Sequence, residues 1–226
     1  MILARWILFT GLVWMGGCVT VRWLLAGSRG VDRTASEAGP GRAGPVRDDP
    51  AATARRKRLE GRLARWGFFA AGLTFAGVLT LGVAQLLEFR DPFAPLRSEA
   101  ALLFLRTSWG QAWIAAVVGL CSAMAAFGLV RGRGSWVLVT VLVVALAFFP
   151  ALTGHAVGTE ELTVLAVLAD GAHVLAAGAW IGSLGVIMLL AIPSRAAHPD
   201  GEVLPELLPR FSATALISAG VLALTG

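Results

Sequence analysis

His155, Asp170 and His173 stand in or beside apolar stretches long enough to cross a bilayer. Ionisable side chains held in lipid are costly, and by default they mark a functional site with partners. Asp170 and His173 belong to the string D-G-A-H. Three positions along a helix turn through about 300° and rise about 4.5 Å, so the carboxylate and the imidazole share one side of the helix. Trp180 continues that stripe on a regular helix. A carboxylate at such a place accepts a hydrogen bond or balances a positive charge, and a neutral imidazole is a metal ligand whose second nitrogen needs a fixed partner. An interhelical hydrogen-bond pair holding no ligand is the plainer reading of the same two residues. His155 follows Thr153-Gly154, and Pro150 just before them removes a backbone hydrogen bond and tends to kink the helix. Carbonyls freed in this way need a protein-lined or watery setting. For His155 the plainer reading is an interfacial histidine in water.

The elements that carry these residues are membrane helices. Hydrophobic residues make up 57% of the chain and charged residues 15%, a balance outside the range of soluble domains. A helix needs about 20 apolar residues to span the hydrocarbon core. Six runs qualify, Ile7 to Ala26, Trp66 to Phe89, Ser108 to Val130, Trp136 to Ala156, Leu162 to Ile192 and Phe211 to Gly226. Strict alternation of apolar and polar residues is absent, which argues against a transmembrane barrel. The expected fold is all-α, a polytopic membrane helix bundle. Residues 1–26 form its first span, residues 27–65 a flexible basic loop, and residues 66–226 the remaining bundle. The sixth run is still apolar at Gly226, with no polar flank to end it. It reads as a C-terminally truncated chain, with a short half-helix as the alternative.

Charge then orients the bundle. The segment after the first span carries Arg29, Arg33, Arg42, Arg47, the cluster Arg55-Arg56-Lys57-Arg58, Arg62 and Arg65, and Arg22 is grouped with it. Positive loops stay in the cytoplasm, which places the amino terminus outside. Arg131, Arg133, Arg195 and Arg210 then also fall inside, leaving Arg5, Arg90, Arg97 and Arg106 outside. This charge accounts for most of the net +5. It is read as setting topology against anionic headgroups rather than as a nucleic-acid contact. A short interfacial helix over Arg55 to Arg65 fits the same reading.

With the fifth helix entering near Leu162, rise alone puts Asp170 about 12 Å and His173 about 16 Å deep, close to mid-membrane. Small residues crowd that helix, and Gly178-x-x-x-Gly182 permits close contact with a neighbour. His155, by contrast, lies near the outer entrance.

A second pattern involves sulfur. Met15-x-x-Cys18 on the first helix and Cys121-x-x-Met124 on the third each put a thioether and a thiol on one face. Soft sulfur ligands select Cu(I), so the four form a candidate Cu(I) track, with ordinary packing as the alternative. The two cysteines lack a CxxC spacing and suggest neither a disulfide framework nor a redox pair. Met15-Gly16-Gly17-Cys18 loosely resembles a lipoprotein signal, but the apolar run continues past it into a basic loop, as a first transmembrane helix does.

Three strings in order carry a family resemblance: Thr153-Gly154-His155-Ala156, then Asp170-x-x-His173 leading into Ala179-Trp180-Ile181-Gly182, then Arg210-Phe211-Ser212 opening a helix that ends Leu224-Thr225-Gly226. Over about residues 148–226 the chain resembles the copper resistance protein D family of bacterial inner-membrane proteins. The resemblance implies copper handling across that membrane, with His155 and His173 as leading ligands and a periplasmic copper-binding protein as a partner. It departs from the family at Ser183, where a glycine is expected, and in stopping at the T-G string where the family continues through further helices. The rival function is b-type haem binding, since paired membrane histidines also hold haem. Axial histidines must lie at one height, and the depths expected for His155 and His173 differ. An enzyme is the least supported class, because no nucleophile–base pair or phosphate-binding loop stands out.

Overall fold

The computed structural model describes residues 2–37, 50–91, 93–130, 132–154, 163–194 and 204–226, and every regular element among them is helical. In chain order these are α1 (Ile2–Glu37), α2 (Pro50–Phe89), α3 (Leu96–Ala101), a π-helical turn (Leu102–Arg106), α4 (Ser108–Gly128), α5 (Arg133–Ala147), α6 (Phe149–Thr153), α7 (Thr163–Ala177), a second π-helical turn (Gly178–Gly182), α8 (Ser183–Ser194) and α9 (Leu204–Thr225). Six stretches are long and apolar enough to cross a membrane: Ile2–Gly27, Thr53–Phe89, Ser108–Gly128, Arg133–Thr153, Val164–Leu190 and Leu207–Thr225. The chain is an all-α polytopic membrane bundle.

Helix α1 is the hub, touching α2, α5, α7, α8, α9 and the second π-helical turn. Its sequence explains why. Leu8, Leu12, Met15, Cys18, Val21 and Leu25 are all buried, following the helical repeat of an inward face. The glycines between them let backbones meet. A Cβ on Gly17 would fall 2.2 Å from the carbonyl carbon of Gly182, and one on Gly182 would fall 2.0 Å from the Val13 carbonyl oxygen. The neighbour of Gly178-x-x-x-Gly182 is therefore α1, and no residue larger than glycine fits at that crossing.

The basic segment after the first span is shorter than expected. Helix α2 starts at Pro50, so the helix expected over Arg55 to Arg65 is present, begins five residues earlier and runs unbroken into the second span. The reason is an apolar face: Leu59 and Leu63, one turn apart, are buried against the core that holds Leu25. Arg22, grouped with the loop charge, lies within α1, buried and 3.2 Å from Glu60 of α2. Its guanidinium sits 5.6 Å from the ring centre of Trp136 on α5, and burial of both partners closes that end of the bundle.

Two interruptions shape the region of the expected site. The fourth span breaks at Phe148, because Pro150 follows two residues later without a backbone N–H, and α6 restarts with Leu152 N–H donating to the Phe148 carbonyl at 3.1 Å. The Phe148 ring then lies against α7. A Cβ on Gly171 would meet it at 2.2 Å, so the glycine between Asp170 and His173 is what lets the broken helix approach. The fifth span widens into the π-helical turn at Gly178, which adds a residue to the turn and rotates everything beyond it. Ser183, fully buried, follows that turn and donates its hydroxyl hydrogen to the Ala179 carbonyl within the same helix.

Candidate metal-handling site

Asp170 and His173 do share one side of α7, and there they line a cavity of about 340 Å³ with Phe9 of α1, Pro150 of α6 and Thr225 of α9. Four helices thus converge on the pair. His173 is half-buried, and its Nδ1 lies 3.0 Å from Thr225 Oγ1. Thr225 Oγ1 is in turn 2.8 Å from the Val221 carbonyl oxygen. Asp170 is exposed to the cavity side, and among the described residues its carboxylate takes no hydrogen bond or ion pair. The hydrogen-bond partner of the imidazole among the described residues is Thr225. The carboxylate oxygens are left to accept from whatever enters the cavity.

At about 1.5 Å per residue, His173 lies about 14 Å from Val164 and about 26 Å from Leu190, the ends of its span. That is about 6 Å along the helix from the middle of the span. A second cavity, about 170 Å³, adjoins this one and shares Phe9 and Pro150 with it. Arg5, Gln85, Trp109 and Thr153 also line it, and so does Gly154. His155 itself, the next residue, lies outside the described residues, as does the stretch that joins α6 to α7. Pro150 lines both cavities. Trp180 lines neither of them, since the π-helical turn carries it off the stripe that a regular helix would continue.

The sulfur residues sit in different surroundings. Met15 and Cys18 are fully buried inside the core around α1, whereas Cys121 is exposed on α4 and Met124 is partly buried with its methyl group near Gly72. Among the described residues no group of three or more His, Cys, Asp or Glu side chains gathers at one point. What α7 offers is one imidazole and one carboxylate.

Sequence reasoning passed over several participants. Thr225 was visible only as part of a string, and nothing in the residues before it signals that α9 ends beside α7. Phe9 carried no signal at all, being one apolar residue in an apolar run. Arg22 did carry one, an arginine inside a stretch otherwise apolar to Ala26, and the fitting inference was a buried partner such as Glu60.

The bundle and its polar pocket define a polytopic helical membrane protein with a polar station inside its span. The comparisons place it further. Residues 1–165 match the family model described as copper resistance protein D-like, N-terminal domain, and the chain belongs to that family. The strings quoted above lie mostly beyond that match, overlapping it only over 148–165. His155 falls within the matched region, while Asp170 and His173 follow it. The chain is also 30% identical over 126 residues to the copper transport protein CutJ of Bacillus subtilis, an alignment covering 53% of this chain and 23% of that protein. It thus spans less than a quarter of that relative's length. No solved structure matches.

Proposed function

We propose that this chain is the part of a bacterial inner-membrane copper transporter that receives copper from the outer compartment, with its amino terminus outside, and contributes to copper uptake or resistance. The observation that carries the reading is the pairing of His173 with Asp170 on the wall of one cavity inside the span, in a chain of the copper resistance protein D-like family. Neutral imidazole supplies a borderline-soft nitrogen donor suited to copper, and the carboxylate offsets the charge of the ion. Two donors are too few to cage a metal, and a transported ion must be released, so a sparse station suits cargo better than a structural metal. Copper enters by His155, the residue after Gly154, passes Phe9 and Pro150, and rests at His173 with Asp170. A periplasmic copper-binding protein delivers it. The acidic loop residues Glu160 and Glu161 lie on the same side in this topology and favour a cation there.

The test is copper binding by the purified chain in detergent, together with copper content and tolerance of cells that carry it. His173→Ala is expected to weaken binding by more than about 100-fold, above the range seen for losing a mere supporting group, and His155→Ala to slow loading. Unchanged binding, copper content and tolerance in the double variant would refute the reading.

A further inference from the structure

We infer that Thr225 is a positioning residue that holds the proton of His173 on Nδ1 and so presents Nε2 to the cavity as a bare lone pair. The argument is one of proton counting. A threonine hydroxyl has one hydrogen to donate and two lone pairs to accept with, whereas a carbonyl oxygen only accepts. Thr225 Oγ1 lies 2.8 Å from the Val221 carbonyl oxygen, so the hydroxyl hydrogen is committed there. The remaining contact, 3.0 Å to His173 Nδ1, then needs its hydrogen from the ring. The sequence of donors runs from Nδ1–H to Oγ1, and from Oγ1–H to the Val221 carbonyl. A neutral imidazole with its proton on Nδ1 has an unprotonated Nε2, the form that binds a metal.

Two further observations support the assignment. Thr225 is β-branched and bonded back to its own helix, so few rotamers remain to it and the acceptor is held in place before any ligand arrives. The next residue closes the ring edge: a Cβ on Gly226 would lie 3.0 Å from His173 Cε1 and 3.5 Å from Nδ1. The imidazole thus packs against the end of α9 where only glycine leaves it room, and its Nδ1 edge is taken up by α9. Asp170 shares the cavity but makes no hydrogen bond among the described residues, so it does not compete for Nδ1. The inference rests on the copper reading only for the identity of the ligand, since the proton's place is a property of the metal-free protein.

The experiment uses the full chain in detergent with 15N-labelled imidazole in its three histidines, His173→Ala assigning the resonances. The metal-free wild type is expected to show His173 protonated on Nδ1, Thr225→Ser to keep that pattern, and Thr225→Val to move the proton toward Nε2. Titration with copper alone should then show Thr225→Val weakened by about 10- to 100-fold, the usual cost of losing a ligand's orienting partner, with Thr225→Ser restoring the affinity. A wild-type His173 protonated on Nε2 overturns the inference without any variant needing to fold. So does weakened copper binding in Thr225→Val with the tautomer unchanged, because that is the mark of a purely structural role. If the wild-type proton sits on Nδ1 while His173→Ala binds copper normally, the proton assignment stands and the copper reading falls.

Discussion

Arg22 with Glu60 and His173 with Asp170 are two ways of keeping ionisable groups among apolar helices, and they end differently. Arg22 spends its charge: Glu60 lies 3.2 Å away and the Trp23 and Trp136 rings stand 5.8 and 5.6 Å from its guanidinium carbon. Asp170 and His173 keep bonding capacity in reserve. Space is not the difference, because a cavity of about 450 Å³ adjoins Arg22 and Glu60 as well. Partners are. An ionisable residue in a span marks a polar structure of some kind, and it marks a station for cargo when its donors still point into open volume.

That contrast can be tested from both ends. The largest effect on folding is expected from Glu60→Ala, which leaves Arg22 buried without its carboxylate and should cost about 3–5 kcal/mol in thermal or denaturant unfolding, with copper affinity per folded molecule unchanged. A drop in copper affinity of the folded fraction would join the two regions into one site. Next comes Gly182→Val, whose side chain has no room against the Val13 carbonyl; overpacking of this kind costs about 1–3 kcal/mol and would separate α1 from the π-helical turn, read as a lowered melting temperature. Asp170→Asn keeps the shape and removes the charge, so stability should hold while copper affinity falls by about 10-fold, measured by competition with a chelator. The smallest pair of effects separates the cysteines: Cys18→Ala should lose about 1 kcal/mol as a core residue, whereas Cys121→Ser should stay within about 0.5 kcal/mol of wild type. Neither should alter copper binding, and a loss in Cys121→Ser would support the sulfur track.

Particular residues explain how much was legible beforehand. The six spans were readable because lipid demands long apolar helices, and the two shared ends, Ser108 and Phe89, agree to the residue. Starts set by tertiary packing were not. Helix α2 begins at Pro50 because Leu59 and Leu63 find the core beside Leu25; the basic segment suggested a short helix over Arg55 to Arg65 but not its burial against that core. Asp170 and His173 were legible as a pair because spacing on one helix is local geometry. Thr225 was not legible as their partner, being 52 positions from His173 and brought there only by the packing of α9 on α7.

The amino-acid sequence by itself determined that this chain lives in a membrane, where its helices run, and which helix carries a carboxylate and an imidazole on one side. These are consequences of hydrophobicity and of helical periodicity, both of which act within a few turns of chain. Only the tertiary structure decided which ionisable residues are spent and which remain open. That outcome depends on neighbours far apart in sequence, Glu60 against Arg22 and Thr225 against His173, and on glycines whose missing side chains let α1 and the π-helical turn come together.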